Sequence, residues 1–145
     1  MTGDEEATFD FIGYSDSTYY NKLIREIQKH NLEKHVQILP GETDSPTILS
    51  HSAAMLFPST REGFGIVLIE AQAMGVRCYA SDGVPRSTNC GGVTYLPLSA
   101  GPKKWAQQIL TDYKLESGKH HQYDVLRFTS KEVKKKIREI YEGKK

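Results

Sequence analysis

Cysteine is scarce in this 145-residue chain, which has only Cys78 and Cys90. Two thiols without a recognisable spacing are too few for a disulfide framework or a cysteine metal site, so we expect both to be free. No apolar run approaches the length of about 20 residues that a membrane-spanning helix needs. The first residues, MTGDEEATFDF, are acidic where a signal peptide is basic, and we therefore expect a cytoplasmic location.

Excess charge is missing as well, because 19 Lys and Arg residues face 18 Asp and Glu residues, for a formal net charge of +1. A protein built around nucleic-acid phosphates carries a basic excess, so we expect no nucleic-acid partner. The five histidines are scattered and have no carboxylate partner at ligand spacing, which predicts no metal site. Neither a nucleophile elbow nor a Walker-type lysine loop is found.

The remaining composition, 38% hydrophobic and 26% charged, is typical of a globular domain. Residues 1–6 are expected to form a disordered tail, and residues 7–145 a single domain. Apolar alternation and turn residues predict strands at 8–12, 35–39, 53–57, 76–80 and 92–96. Helices are predicted at 17–31, 44–51, 64–74, 105–113 and 133–141, and the stretch 114–128 is expected to be a loop with a short helical piece.

Strands that alternate with helices predict an α/β fold, in which a parallel sheet has helices on both faces. The continuous apolar run at 53–57 is typical of a central strand that is covered on both sides. In such sheets ligands bind beyond the carboxyl ends of the strands. We therefore expect Gly13, Gly41 and the loops 59–65 and 81–85 to lie along the edge where a ligand binds.

The most informative stretch is FPSTREGFGIVLIEAQAMG at 57–75. Its helix, 64–74, is apolar nearly all the way round, which predicts burial on most sides. Glu70 is then a buried carboxylate without a basic residue three or four positions away. Glu62 lies about 12 Å from it along the helix axis. Glycines and free N–H groups between the two acids suit an extended ligand with hydroxyls at its ends and phosphate in the middle.

The motif EGFG at 62–65, followed by Glu70, resembles the E-x7-E signature of the retaining glycosyltransferases of family 4. The match includes Pro58-Ser59 before the motif and the small residues and glycine at 71–75 after it. The resemblance implies a GT-B fold, and for this chain a Rossmann-like domain of the GT-B C-terminal, donor-binding type. It also implies a nucleotide-sugar as substrate and no separate cofactor.

The resemblance assigns a role to each residue of the motif. Glu62, the predicted catalytic residue, would hydrogen-bond hydroxyls of the donor sugar, and Glu70 would accept hydrogen bonds from the ribose. The other predicted substrate-binding residues are Gly63, Phe64, Gly65 and Ile66 at the sugar and diphosphate, Arg61 at phosphate, and Gly41 at the base. A purely structural role remains open as the alternative for each residue. Glu62 would complement the helix dipole, and Glu70 would be a core residue bonded to a backbone group or water. Gly63 and Gly65 would form a tight turn without a ligand, Arg61 would be a surface residue, and Gly41 would belong to an ordinary turn between a strand and a helix.

Family members pair this domain with an N-terminal acceptor domain, and their donor domain begins with a strand and helix whose Arg and Lys grip the diphosphate. We expect both to be absent here, and hence a fragment of a polysaccharide-forming hexosyltransferase that is inactive alone. The alternative is a non-catalytic module that binds a sugar nucleotide or a protein and works with a separate acceptor-domain subunit. An unrelated Rossmann-like nucleotide binder is disfavoured, because only one glycine follows the first strand. The run at 134–136 is expected to face solvent, with peripheral membrane contact as the alternative.

Overall fold

A computed structural model describes residues 7–13, 17–41, 43–116, 121–132 and 134–135. The chain divides into two compact units, Met1–Ser45 and Pro46–Lys145. The strands are β1 Phe9–Ile12, β2 Val36–Leu39, β3 Ala54–Phe57, β4 Arg77–Ser81 and β5 Val93–Leu96. The α-helices are α1 Ser17–Lys29, α2 Ser45–Ser50, α3 Ile66–Ala73 and α4 Gly101–Glu116, and short 3-10 turns occur at Arg86–Thr88, Leu98–Ala100 and Leu126–Phe128.

The first unit contains β1 and β2, which pair in parallel with Phe9 opposite Val36. Helix α1 connects them, as parallel strands require a crossover. Its apolar residues recur at helical spacing: Ile27 is buried, and Leu23 and Ile24 are half-buried. The predicted strands and helix of this unit are confirmed to within two residues at each end.

The second unit contains a three-stranded parallel sheet in the order β3-β4-β5. Helix α3 connects β3 to β4, and α4 follows β5. Within this sheet β4 has a neighbour on each side and is almost fully buried, whereas β3 is half-buried and, among the described strands, pairs with β4 alone. The expectation that 53–57 forms the central strand is therefore wrong for this sheet, because an apolar run does not distinguish the edge from the centre.

The core of the second unit lies between α3 and the sheet. Its buried members are Leu49, Leu68, Ala71, Val76, Cys78, Ala80 and Val84. Trp105 on α4 is 7% exposed, and its indole N–H donates to the Pro97 carbonyl at 3.1 Å. Tyr113, predicted to line the same helix face, is 50% exposed instead.

The end of α3 shows why the helix stops where the sequence predicts. Gly75 has a left-handed φ of 76°, and the Val76 N–H donates to the Ala71 carbonyl at 2.9 Å. The Gly75 N–H donates to the Gln72 carbonyl at 3.0 Å. This pair of bonds is a Schellman motif, which satisfies the last carbonyls of the helix.

Parallel pairing brings the predicted edge loops together within each unit. Gly13 and Gly41 follow the ends of β1 and β2, and the loops 59–65 and 81–85 follow the ends of β3 and β4. A 3-10 turn closes the predicted loop 114–128. We name residues 121–128 the return segment, because they contact earlier parts of the chain, namely the residues that flank α3 and the loop before β5. The predicted tail 1–6 and most of the last predicted helix, 133–141, lie outside the described residues.

In the part of the chain that the structure describes, no helix is both long and apolar enough to cross a membrane. Lys134 and Lys135 are exposed, as expected for a solvated helix face.

Candidate functional site

The loop 59–65 is anchored to the end of the neighbouring strand β4. The Ser81 hydroxyl donates to the Ser59 carbonyl, and the Ser59 hydroxyl donates to the Arg61 carbonyl at 3.0 Å. Ser81 is completely buried, so its hydroxyl needs this partner. The start of the loop is thus fixed by a hydrogen bond between the two strand ends.

The loop after β4 packs directly against the loop 59–65. A Cβ atom at Gly83 would overlap the Thr60 carbonyl oxygen and lie 3.2 Å from the Ser59 carbonyl oxygen. Val84, which is buried, supplies a methyl group 3.6 Å from where a Cβ at Gly65 would lie. The two loops are therefore in close contact at one edge of the sheet, and Gly83 is required for their close approach.

Gly65 is the residue at which the loop turns into α3. Its φ of 79° and ψ of 51° lie in the left-handed region, which a residue with a side chain adopts only at a cost. No described side chain caps the first turn of α3. Ile66, at the first helical position, is 63% exposed. The amide groups at the positive end of this helix are therefore open to an anionic or polar ligand.

Glu62 is half-buried beside the same turn. Its Oε1 accepts a hydrogen bond from the Gly63 N–H at 3.0 Å, and its Cγ would lie 3.3 Å from a Cβ at Gly65. The carboxylate is therefore folded back over the loop toward the beginning of α3. Among the described residues nothing donates to the second carboxylate oxygen, so that oxygen keeps its capacity to accept a hydrogen bond from a ligand.

Glu70 does not lie where the sequence predicts, because its side chain is exposed rather than buried. Helix α3 buries one face, with Leu68, Ala71 and Gln72, while Ile66 and Met74 remain 63% and 45% exposed. The expectation of burial on most sides is therefore wrong. Apolar periodicity cannot show whether a second layer covers a helix, and here the described residues cover only one face of α3.

Exposure also explains how Glu70 exists without a basic neighbour. A carboxylate in water costs little, whereas a buried one needs a partner. Among the described residues no side chain or backbone group donates to the Glu70 carboxylate. The alternative of a core glutamate that is bonded internally does not apply. Glu62 thus lies in the loop that enters α3, and Glu70 lies on α3 itself. Each carboxylate has at least one oxygen to which no described residue donates a hydrogen bond.

The remaining predicted site residues lie in three different environments. Arg61 is exposed and forms no ion pair with any described residue. Phe64 is 45% exposed and contacts the ring of Phe128 edge-on. Gly41 is half-buried after β2, in the first unit. The structure thus brings together the predicted residues at 61–70, all of which belong to the second unit.

Gln72 is a structural determinant of this region that the sequence analysis missed. Its side chain is 1% exposed and hydrogen-bonds four backbone groups of α3 and the loop before β5. The signal available in the sequence was a polar residue, Gln72, in a helix whose only other polar residue is Glu70. The return segment was also missed as a contributor, because its contacts join residues that are distant in sequence.

A cavity of about 460 Å³ is lined by residues from the end of β5, the following turn and α4. Its lining residues are Leu96, Pro97, Ala100, Lys104, Gln107, Gln108 and Thr111. None of the residues predicted from the sequence as site residues is among them.

The geometry described so far, parallel strands joined by helices with a helix N-terminus beyond a strand end, defines a Rossmann-like type of α/β domain. The family model for glycosyl transferases group 1 matches residues 2–109. The chain therefore belongs to the glycosyl transferases group 1 family. The matched range contains the whole motif at 62–70 and ends before the return segment.

Two curated relatives match the same part of the chain. "Putative glycosyltransferase EpsF" of Bacillus subtilis (strain 168) is 30% identical over 103 residues, which are 70% of this chain and 27% of that protein. The N-acetyl-alpha-D-glucosaminyl L-malate synthase of Bacillus anthracis is 30% identical over 105 residues, which are 69% of this chain and 28% of that protein. The matched segment thus spans only about a quarter of the length of these relatives.

Solved glycosyltransferases share the fold. Anabaena HepE, crystallised in complex with UDP, aligns with a TM-score of 0.71 and 18% identity over 97% of this chain and 42% of its own. A chain of the GtfA/B complex aligns with a TM-score of 0.58 and 22% identity over 83% of this chain and 25% of its own. At these identities the likeness is one of fold, and it confirms the predicted Rossmann-like architecture of the GT-B type.

Proposed function

We propose that this chain is the donor-binding domain of a family 4 glycosyltransferase. The enzyme would transfer a sugar from a nucleotide-sugar to a saccharide or lipid-linked acceptor and retain the anomeric configuration. The observation that carries the proposal is the exposed Glu70 carboxylate, which no described protein group satisfies, about one turn from the N-terminus of α3. Membership of the glycosyl transferases group 1 family supports it, as does the UDP complex of the structural relative HepE.

In this proposal each end of the motif binds one part of the donor. Glu70 accepts hydrogen bonds from the ribose hydroxyls, and Glu62 accepts them from hydroxyls of the sugar. The N–H groups at 64–66 bind the diphosphate, whose charge grows as the glycosidic bond breaks. Donors that are fixed in place before the reaction stabilise such developing charge most effectively.

Arg61 is the nearest cation in sequence to the proposed diphosphate position. Its exposed guanidinium has no described ion-pair partner and could form two parallel hydrogen bonds with phosphate oxygens. The proposed contact between Gly41 and the nucleotide base rests only on the resemblance to family 4 glycosyltransferases.

The test of the donor site is a titration of the 145-residue chain with UDP, GDP, ADP and the corresponding nucleotide-sugars, followed by NMR. We expect binding that Glu70→Gln weakens by roughly tenfold or more, because a hydrogen bond to a charged group contributes about 1.5–3 kcal/mol. Glu26→Gln is the matched control, since Glu26 is an exposed helix carboxylate on α1 that pairs with Lys29. Equal affinity in wild type and Glu70→Gln would rule out the ribose role.

A second candidate function is considered because the matched segment spans only about a quarter of the length of the curated relatives. As a natural short chain, the protein would be a non-catalytic module that completes a site with a separate acceptor-domain subunit. The GtfA/B complex among the structural relatives supports this alternative by example. In both cases we expect the isolated chain to transfer no sugar, and steady transfer by the chain alone would contradict both.

A further inference from the structure

The ring of Phe128, the last residue of the return segment, contacts the ring of Phe64. The two ring centroids are 6.1 Å apart and the planes are inclined by 76°, which is the favourable edge-to-face geometry. Phe64 is the central residue of the Gly63-Phe64-Gly65 turn, the part of the proposed donor site that leads into α3. We name residues 59–65, the loop that leads into α3, the donor loop. The return segment therefore contacts the donor loop through an aromatic pair.

Phe128 is itself fixed by the preceding residue. The Arg127 guanidinium lies over the Phe128 ring, with its central carbon 4.8 Å from the ring centroid. The same guanidinium donates through Nη2 to the carbonyl oxygens of Ser87, at 3.0 Å, and Asn89. These contacts tie the 3-10 turn at the end of the return segment to the 3-10 turn that precedes β5.

The middle of the return segment is anchored to the same loop. The Asp124 N–H donates to the Cys90 carbonyl at 3.2 Å. The ring of Tyr123 packs so closely on Gly92 that a Cβ there would lie 2.7 Å from it. Cys90 and Gly92 in turn donate their N–H groups to Gln72 on α3. The return segment is thus bonded to the loop before β5, and that loop is bonded in turn to α3.

The donor loop has few contacts of its own that could hold its middle. A Cβ at Gly63 would meet nothing within 4 Å, and the side chain of Phe64 is the one long apolar group between the two glycines. Glycines on both sides give this turn unusual backbone freedom, which costs entropy when it is ordered by a ligand. A contact that orders Phe64 beforehand reduces that cost.

We infer that Phe128 is a positioning residue for the donor loop. It holds Phe64 so that the amides of Gly63 and Gly65 are already ordered when the nucleotide diphosphate arrives. The inference rests on the proposed function for the identity of the ligand. Its mechanical part, the ordering of the Gly63-Gly65 turn by the return segment, concerns the ligand-free chain and can be tested without a ligand.

The first measurement is backbone ¹⁵N relaxation of the whole chain without nucleotide. In Phe128→Ala we expect the order parameters of Gly63 and Gly65 to fall from about 0.85, typical of rigid backbone, toward about 0.6. Phe128→Tyr keeps the ring and should restore them. Leu126→Ala is the matched control, because Leu126 lies on the same 3-10 turn and its side chain is 67% exposed.

The second measurement is the affinity for UDP of the same variants, well below their melting temperatures. The free energy of an aromatic pair corresponds to about a two- to tenfold change in an equilibrium constant. We therefore expect Phe128→Ala to lower the affinity for UDP by about two- to tenfold. A ligand that binds only the ordered loop loses affinity in proportion to the ordered fraction. Phe128→Leu, which fills the space without a ring, replaces the alanine variant should the latter fail to fold.

The outcomes separate the two proposals. Unchanged order parameters at Gly63 and Gly65 in a folded Phe128 variant, with unchanged UDP affinity, would overturn the positioning role and leave a purely structural contact. Absence of any nucleotide binding by the wild-type chain would defeat the proposed function instead. In that case the order parameters alone still decide whether Phe128 orders the loop.

Discussion

The side-chain oxygen of Gln72 accepts a hydrogen bond from the Cys90 N–H at 2.7 Å, across the boundary between α3 and the loop before β5. The same oxygen accepts from the Gly92 N–H at 3.1 Å. The side-chain nitrogen donates to the carbonyls of Leu68, at 2.7 Å, and Thr88, at 2.9 Å. All four hydrogen-bonding positions of the amide are therefore used, in a side chain that is 1% exposed.

Replacement of Gln72 by leucine is therefore expected to destabilise the chain strongly. The apolar side chain has a similar size but leaves the N–H groups of Cys90 and Gly92 without a partner, and each such buried group costs about 1–3 kcal/mol. We expect a loss of roughly 2–5 kcal/mol in the free energy of unfolding, measured by urea denaturation. Gln107→Leu, on the exposed side of α4, should change stability by less than about 0.5 kcal/mol. Similar effects of the two substitutions would show that the Gln72 network does not stabilise the fold.

The positions of the strands and helices follow from local patterns in the sequence. Pro46 in the first turn of α2 and Gly75 after α3 indicate helix ends through backbone geometry that depends on a few neighbouring residues. The candidate site is predictable to the same extent, because Glu62, the glycine turn and Glu70 are close in sequence. Their clustering required no knowledge of distant contacts.

The parts that the sequence did not predict depend on contacts between distant residues. Whether Glu70 is covered depends on what packs against α3, and the apolar residues around that helix look the same in either case. Arg127 bonds to a carbonyl 40 residues earlier, and the Gln72 amide reaches groups up to 20 residues away. Local spacing carries no information about such pairs, so the support behind the donor loop became visible only in the structure.

The two glycines of the donor loop should respond differently to substitution by alanine. Gly65 has a φ of 79°, so Gly65→Ala forces a side chain into the left-handed region at a cost of about 1–2 kcal/mol. Gly63 has no left-handed φ, and a Cβ there meets nothing within 4 Å, so Gly63→Ala should leave the melting temperature within about 2 °C of wild type.

The proposed donor site adds a second expectation for Gly63. Because space at this position is needed by the ligand rather than by the fold, Gly63→Ala should weaken UDP-sugar binding while stability is retained. Calorimetric titration and thermal unfolding of the two variants provide the comparison. Unaltered UDP-sugar affinity in Gly63→Ala would mean that the ligand does not approach this residue.

Gly83→Ala tests whether the close contact between the loops after β3 and β4 fixes their positions. The new Cβ would overlap the Thr60 carbonyl oxygen and lie 2.8 Å from its carbon, and both atoms belong to the backbone. The overlap can be removed only if the loop 59–65 shifts, and overpacking of this kind typically lowers the free energy of unfolding by about 1–3 kcal/mol. We expect lower stability together with changed amide shifts at Glu62 and Gly63. Gly13→Ala, where a Cβ meets nothing within 4 Å, serves as the control.

Cys78 should make the chain sensitive to alkaline pH. Burial raises the pKa of the Cys78 thiol from 9.0 to about 12, against a smaller lowering by the Arg77 charge, while nearby Cys90 raises it further. Between pH 9 and about 12 the folded chain therefore holds a proton that the unfolded chain releases. The free energy of unfolding is unaffected by this thiol below pH 9 and falls above it, by up to about 1.4 kcal/mol per pH unit.

The measurement is the free energy of unfolding of wild type and Cys78→Ala at several pH values from about 7 to about 10.5, a range that spans the ordinary pKa of a thiol. Other groups titrate in both proteins, so the informative quantity is the difference between them. Cys78→Ala costs stability at neutral pH by loss of packing, but its stability should decline less steeply above pH 9. In the folded chain at pH 8 neither buried cysteine should react with a thiol reagent, whereas both should react in denaturant. Parallel pH profiles for the two proteins would show that the buried thiol ionises as readily in the folded chain as in the unfolded one.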